Sequence, residues 1–149
     1  MKTILFADID GVFHDADAVA IEIVGDTWRA TGENLFCWAA CLWEAIASYD
    51  VDIVFHSTWR YHHSVDEIRR LFPEAMRPRI SDVTGAGGRL ESIRLYIEEH
   101  NVARFVVLDD APAEFPPQWP HLIACDPRRG LSDPEVTAGL TRFLADGAR

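Results

Sequence analysis

Short, continuous apolar runs alternate along this chain with stretches whose apolar residues recur every three to four positions. The runs at residues 4–9, 52–56, 104–108 and 121–125 have the length and the Val, Ile and Phe content of buried strands. A shorter strand is predicted at 79–83. Between them, Val65, Ile68 and Phe72 share one helical face, as do Leu90, Ile93 and Ile97 over residues 89–100. Val136, Leu140, Phe143 and Leu144 give the last helix its apolar stripe. Ser64-x-x-Glu67 and Ser132-x-x-Glu135 stand at capping-box spacing before two of these helices. A further helix over about 35–48, with Asn34 as its cap, is apolar nearly all round; Glu44 is its only charge. Such a helix is either deeply packed or partly covered by another chain. Residues 13–32 are the least regular. There the loose alternation at 19–24, then Gly25-Asp26, then Thr27-Trp28-Arg29, predicts a small hairpin or flap.

Strands alternating with helices predict an α/β protein, three layers in αβα order, Rossmann-like, with a mainly parallel five-stranded sheet. The whole of residues 1–149 reads as one such domain, with 12–34 as a flap and connection. Crossovers in a parallel sheet are right-handed, so the carboxyl ends of its strands share one edge. That edge collects Asp8, Asp10, Ser57, Asp109 and Asp110. Asp8 and Asp10, spaced i and i+2 at the end of the first strand, point the same way. Two like charges repel there, and burial makes ionisation costlier still. A bound cation resolves the conflict, at the place where open α/β sheets hold their ligands.

Composition narrows the function classes. Of the 149 residues, 48% are hydrophobic and 26% charged, the balance of a soluble globular protein with a real core. The apolar runs are far too short to span a membrane, so no membrane partner is expected. One lysine followed by a strand is not a signal peptide, and a cytoplasmic location is expected. Three cysteines, an odd number, suggest no disulfide framework; Cys37 and Cys41, i and i+4 in the apolar helix, read as core thiols. A formal net charge of −10 argues against broad, charge-driven nucleic-acid binding. It leaves room for a nucleic-acid end as substrate, since a divalent ion and local arginines can offset charge at one site. Ser57 has no Gly-x-Ser-x-Gly context, and no glycine-rich Walker or dinucleotide motif is present. His56, His62 and His63 lie near Ser57; strand-end and loop histidines more often face solvent, or touch substrate, than bind zinc. Trp59 and Arg60 are candidates either for the rim of the site or for core or surface packing.

The order of these residues resembles the haloacid dehalogenase (HAD) superfamily of phosphatases and phosphotransferases. That family has DxD after its first strand, Ser or Thr after its second, Lys or Arg at a later helix start, and an acidic pair after its fourth strand. Here the matching residues are Asp8-Ile9-Asp10-Gly11-Val12, then Ser57 closing Ile53-Val54-Phe55-His56-Ser57, then Arg89, then Asp109-Asp110. Ser57-Thr58-Trp59 and Asp126-Pro127-Arg128-Arg129-Gly130-Leu131 are also similar to small HAD domains, some of them found in RNA-repair proteins.

The resemblance implies a Mg²⁺-dependent phosphohydrolase working through a phosphoaspartate. Asp8 would be the nucleophile and Asp10 the general acid and base. Mg²⁺ would take oxygens from Asp8, the backbone carbonyl of Asp10, and Asp109 or Asp110. Ser57 and Arg89 would bind the phosphoryl group, with Arg94 the alternative cation. A cation at a helix N-terminus opposes the macrodipole, by roughly 0.3–1 kcal/mol if exposed, and an anion bound there reverses that sign. Neither residues 12–34 nor 57–89 leave room for the cap many HAD enzymes carry, so an uncapped site is expected. It would admit a phosphate on a large molecule, a nucleic-acid end, a phosphoprotein or a phosphorylated sugar chain, the first favoured only by the resemblance to domains in RNA-repair proteins. The alternatives are a phosphatase of a small metabolite and a non-catalytic phosphate- or metal-binding module. A receiver-like module fits less well, because the acidic pair comes late and Cys125-Asp126 offers no lysine after the fifth strand. Natural substrate and oligomeric state are open at this point.

Overall fold

Five parallel strands form the centre of the structure, a computed structural model that describes residues 2–147. They are β1 (Thr3–Ala7), β4 (Val51–Phe55), β5 (Ile80–Val83), β6 (Phe105–Asp109) and β7 (Leu122–Ala124), in the order β5-β4-β1-β6-β7. β2 (Ala20–Val24) and β3 (Thr27–Thr31) form a separate antiparallel hairpin. The helices are α1 (Ala39–Ile46), α2 (Val65–Arg70), α3 (Arg89–Glu99) and α4 (Pro134–Gly147), joined by short 3₁₀ turns.

The period of two along each strand sorts the core into two layers. Leu5, Ala7, Ile53, Phe55, Val106 and Leu108 face α1, α2 and α4, while Phe6, Val54 and Val107 face Ile93 and Tyr96 of α3 and the Phe115 loop. Both faces of the sheet are covered, which is why its strands read as unbroken apolar runs rather than alternating ones. On the first face Phe13, Phe55 and Phe72 interlock, with ring centroids 4.9–5.8 Å apart. This is the expected three-layer α/β fold. Residues 12–34 and 57–89 hold the hairpin, short turns, α2 and β5, and no cap domain. No helix is long and apolar enough to cross a membrane among the described residues.

Two expected helix starts are corrected. α1 begins at Ala39, not at 35. Asn34 and Phe36 take φ of 61° and 60°, left-handed values that a right-handed helix cannot include and an N-cap does not use. Cys37 therefore lies ahead of the helix and is exposed, Cys41 is half-buried, and only Cys125 is a buried core thiol. α1 buries Ala39, Leu42 and Ile46 and packs on α4, which explains much of its apolar character within this one chain. At α4, Pro134 takes the first helical position, where its missing N–H is no loss. That makes Asp133 the cap: its carboxylate accepts the Glu135 N–H at 3.0 Å, and Ser132 bonds back to Arg129. At α2 the capping box forms as expected, with Ser64 and Glu67 exchanging two bonds of 3.1 Å.

The hairpin turns through Gly25-Asp26, with Gly25 at φ 63°. Every residue of β2 is exposed. Trp28 of β3 attaches the flap to the body, stacked on His62 with centroids 4.6 Å apart and edge-on to Trp59 at 5.4 Å.

Candidate active site

The carboxyl end of β1 turns sharply. Asp8 N–H still bonds to Leu108 of β6 at 3.0 Å, and Asp8 Oδ1 accepts the Ile9 N–H at 2.9 Å. The N–H groups of Val12 and Phe13 then fold back on the Ile9 carbonyl. Gly11 makes this possible with φ 79°. A Cβ at Gly11 would sit 2.2 Å from Asp110 Oδ2, so the turn also fixes how close β1 and the acidic pair approach. Gly11→Ala is expected to lower the unfolding free energy by about 1–2 kcal/mol for the left-handed backbone alone, and further for the displaced Asp110. Denaturant unfolding of the two proteins measures it; equal stability would contradict this geometry.

β6 ends in Asp109, whose side chain is fully buried. Its Oδ2 lies 2.6 Å from His56 Nε2, and its Oδ1 accepts from Arg89 Nη1 at 2.6 Å and from the Ala111 N–H at 2.8 Å. Arg89 is the first residue of α3, and Gly88 before it provides no side-chain cap. The same Nη1 donates to Asp8 Oδ2 at 2.7 Å and lies 3.7 Å from Asp110 Oδ1. Arg89 is thus the cation at the aspartates, while Arg94 is exposed further along α3. Three carboxylates offset the unfavourable position of a cation at a helix start.

Asp8, Asp109 and Asp110 each place an oxygen within 4.8 Å of the others, a group able to hold a metal ion. All the donors are hard oxygens, and three carboxylates face one guanidinium, so the group retains negative charge that suits a small divalent cation such as Mg²⁺. Burial, with the Asp109 charge adding to it, pushes Asp8 up to about 6 against the opposing pull of Arg89 and His56. Burial also raises Asp110. At Asp109 burial works the same way but is outweighed by the hydrogen bond and charge of His56 and then by Arg89, which hold it below the usual carboxylate range. Burial opposes the Arg89 charge as well, yet Asp8 and Asp109 hold that guanidinium above its ordinary value. The Cys125 thiol nearby is pushed up to about 12, by burial first and then by Asp109 and Asp110, and so stays protonated.

The Asp10 carboxylate is not part of that group. It turns to His14 Nε2 at 2.7 Å and to Trp59 Nε1 at 3.2 and 3.3 Å. Ser57 is buried just past β4, beside β1 through the His56 N–H to Ala7 carbonyl bond of 3.2 Å. Its hydroxyl accepts the Trp59 N–H at 3.2 Å and opens a 3₁₀ turn. Trp59 is buried under this turn rather than on a rim.

Arg60 is likewise not a free rim cation. Nη1 donates to the His56 and Ser57 carbonyls, Nε to the Gly85 carbonyl, and Nη2 to the Gly87 carbonyl and the Tyr61 hydroxyl. All five of its N–H groups are used. They tie the Ser57 turn to the glycine-rich entry of α3, and so place Ser57 and Arg89 on one frame.

Of the three histidines near Ser57, His56 departs from expectation. His56 is buried and bonded to Asp109 instead of facing solvent. His62 is exposed beneath Trp28, and His63 is half-buried against Trp59. None belongs to the candidate metal group among the described residues. His14 escaped sequence reasoning altogether. The available signal was a polar residue ending the otherwise apolar stretch Val12-Phe13-His14, where a buried side chain must find partners.

Comparison with known families gives a match over most of the chain. The family described as the HAD domain in Swiss Army Knife RNA repair proteins matches residues 4–136. No curated protein and no solved structure matches the chain.

Proposed function

For a chain that belongs to the family of HAD domains in Swiss Army Knife RNA repair proteins, we propose a phosphatase reaction through an aspartyl-phosphate, on an accessible phosphate monoester such as a nucleic-acid end. The observation that carries this reading is the buried Asp8, held 2.7 Å from Arg89 and within one oxygen cluster with Asp109 and Asp110.

Asp8 attacks phosphorus through a carboxylate oxygen as the bond to the leaving oxygen breaks. Asp10, at 37% side-chain exposure more open than Asp8, Asp109 and Asp110, gives its proton to that leaving oxygen. In the second half Asp10 takes a proton from water, the water oxygen attacks phosphorus, and the Asp8–phosphorus link breaks to release phosphate. Ser57 and Arg89 hold phosphoryl oxygens throughout, and Arg60 keeps the two in register. Asp8, Asp109, Asp110 and the Asp10 carbonyl would hold Mg²⁺, which when bound offsets the charge between carboxylate and phosphate. The absence of a cap supports a large substrate.

Phosphate release from a panel tests the reading: an aryl phosphate, a sugar phosphate, a phosphopeptide and an end-phosphorylated oligonucleotide, each with Mg²⁺ and with chelator. Turnover of the aryl phosphate that chelator abolishes is expected, with the oligonucleotide end cleaved at least as efficiently as the sugar phosphate. With a net charge of −10, that turnover should depend only mildly on salt. Full activity in metal-free buffer refutes the metal's role, and strict preference for one small metabolite refutes the substrate class.

A further inference from the structure

We infer that His14 is a positioning residue for Asp10: its Nε2–H donates to Asp10 Oδ1 and so assigns the transferable proton to Oδ2. The inference rests on the phosphatase reading above and adds a residue to it.

His14 is 1% exposed and both of its ring nitrogens are engaged. The main-chain N–H of Phe36 donates to Nδ1 at 3.1 Å. Nδ1 therefore carries a lone pair, and the ring hydrogen is on Nε2. Nε2 is 2.7 Å from Asp10 Oδ1, at Asp10 and His14 positions that also form an isolated β-bridge. An oxygen that accepts this bond does not present a proton outward, so the proton for the leaving group resides on the other oxygen. The Trp59 indole N–H does not make this choice, because it lies almost equally far from both oxygens.

The donor to His14 comes at a conformational cost. Phe36 is a non-glycine residue at φ 60°, and Asn34 beside it is at φ 61°. Left-handed backbone of this kind is unfavourable for a residue with a Cβ and concentrates at functional sites. Here it directs one N–H onto His14 in place of helical bonding. Phe36 also sits on the segment that leaves the flap, and its ring meets the His14 ring edge-on at 5.1 Å. The base of the flap is therefore bonded, through His14, to the acid.

The alternative is a histidine that merely fills the core, and leaving-group dependence separates the two. His14→Phe keeps an aromatic ring against Phe36 and removes both nitrogens, whereas His14→Gln returns an amide N–H at about the reach of Nε2. General-acid catalysis is worth about 10²- to 10⁴-fold and matters most for poor leaving groups. His14→Phe should slow an alkyl phosphate by about 10²-fold or more and an activated aryl phosphate by less than about tenfold. His14→Gln should recover most of the loss. Asp10→Asn should show the same leaving-group pattern, and adding His14→Phe to it should cost nothing further, since the two residues act as a unit. Long-range ¹H–¹⁵N spectra of the wild type should show the Nε2–H tautomer at His14. Equal loss on both substrates, additive effects in the Asp10→Asn background, or an Nδ1–H tautomer would overturn this inference and leave the phosphatase reading standing. A wild type that hydrolyses neither substrate overturns that reading and His14's role with it.

Discussion

Asp8→Asn is expected to abolish turnover, lowering kcat by roughly four orders of magnitude or more, as removal of a covalent nucleophile does elsewhere. The amide matches the carboxylate in shape, so the fold should survive. It also removes one of three negative charges gathered around a single guanidinium, in a site where the Asp8 side chain is only 7% exposed. The melting temperature in chelator should therefore be no lower than that of the wild type. The two readouts belong together: rate by phosphate release, stability by calorimetry. A variant that turns over at the wild-type rate would remove Asp8 from the nucleophile's role. One that loses both rate and fold would make Asp8 a structural residue.

Arg89→Gln should have the next largest effect, and one that splits in a characteristic way. Losing a cation aimed at the transferring phosphoryl group typically costs about 10²- to 10³-fold in rate. Without it, Asp8, Asp109 and Asp110 face one another with no cation among them, so the protein in chelator should melt at a lower temperature. A divalent ion can supply the missing positive charge to the carboxylates but cannot supply the hydrogen bond to phosphate. Added Mg²⁺ is therefore expected to restore much of the melting temperature and little of the turnover. Wild-type turnover in this variant would mean that the phosphate-binding cation lies elsewhere. A melting temperature that Mg²⁺ leaves unmoved would count against metal binding at the aspartates.

The strand-end aspartates and Ser57 were legible because their positions follow from the alternation of strand and helix, and Arg89 because the family resemblance asks for a cation at a later helix start. Once parallel strands are assigned, topology carries residues 8, 57, 89 and 109 to one edge, whatever their side chains do next. Side-chain direction was not legible. Asp10 was expected beside Asp8, but the Gly11 turn intervenes and two N–H donors draw the Asp10 carboxylate the other way. His56 resembled a loop histidine because its partner Asp109 lies 53 positions along the chain, beyond any local pattern. The start of α1 was misplaced for a related reason. Residues 35–38 have helix-compatible side chains, and the tertiary bonds from the Phe36 N–H to His14 and from the Trp38 N–H to the Phe13 carbonyl account for their departure from helix. Pro134, by contrast, was a local signal that Asp133 and not Ser132 would cap α4.

β1 lies between two strands that are made long after it: Thr3 pairs with Val51, and Ile4 with Phe105. During synthesis the Ile4-Leu5-Phe6-Ala7 segment stays without its second neighbour until most of the chain exists. Apolar, strand-prone and proline-free, it is the kind of segment that joins other chains when left waiting. Charges on both sides of such a segment discourage that, and here they are Lys2 before it and Asp8 and Asp10 after it. The carboxylates proposed to handle phosphate thus also stand where flanking charge opposes such joining, at the end of the strand that β6 covers last.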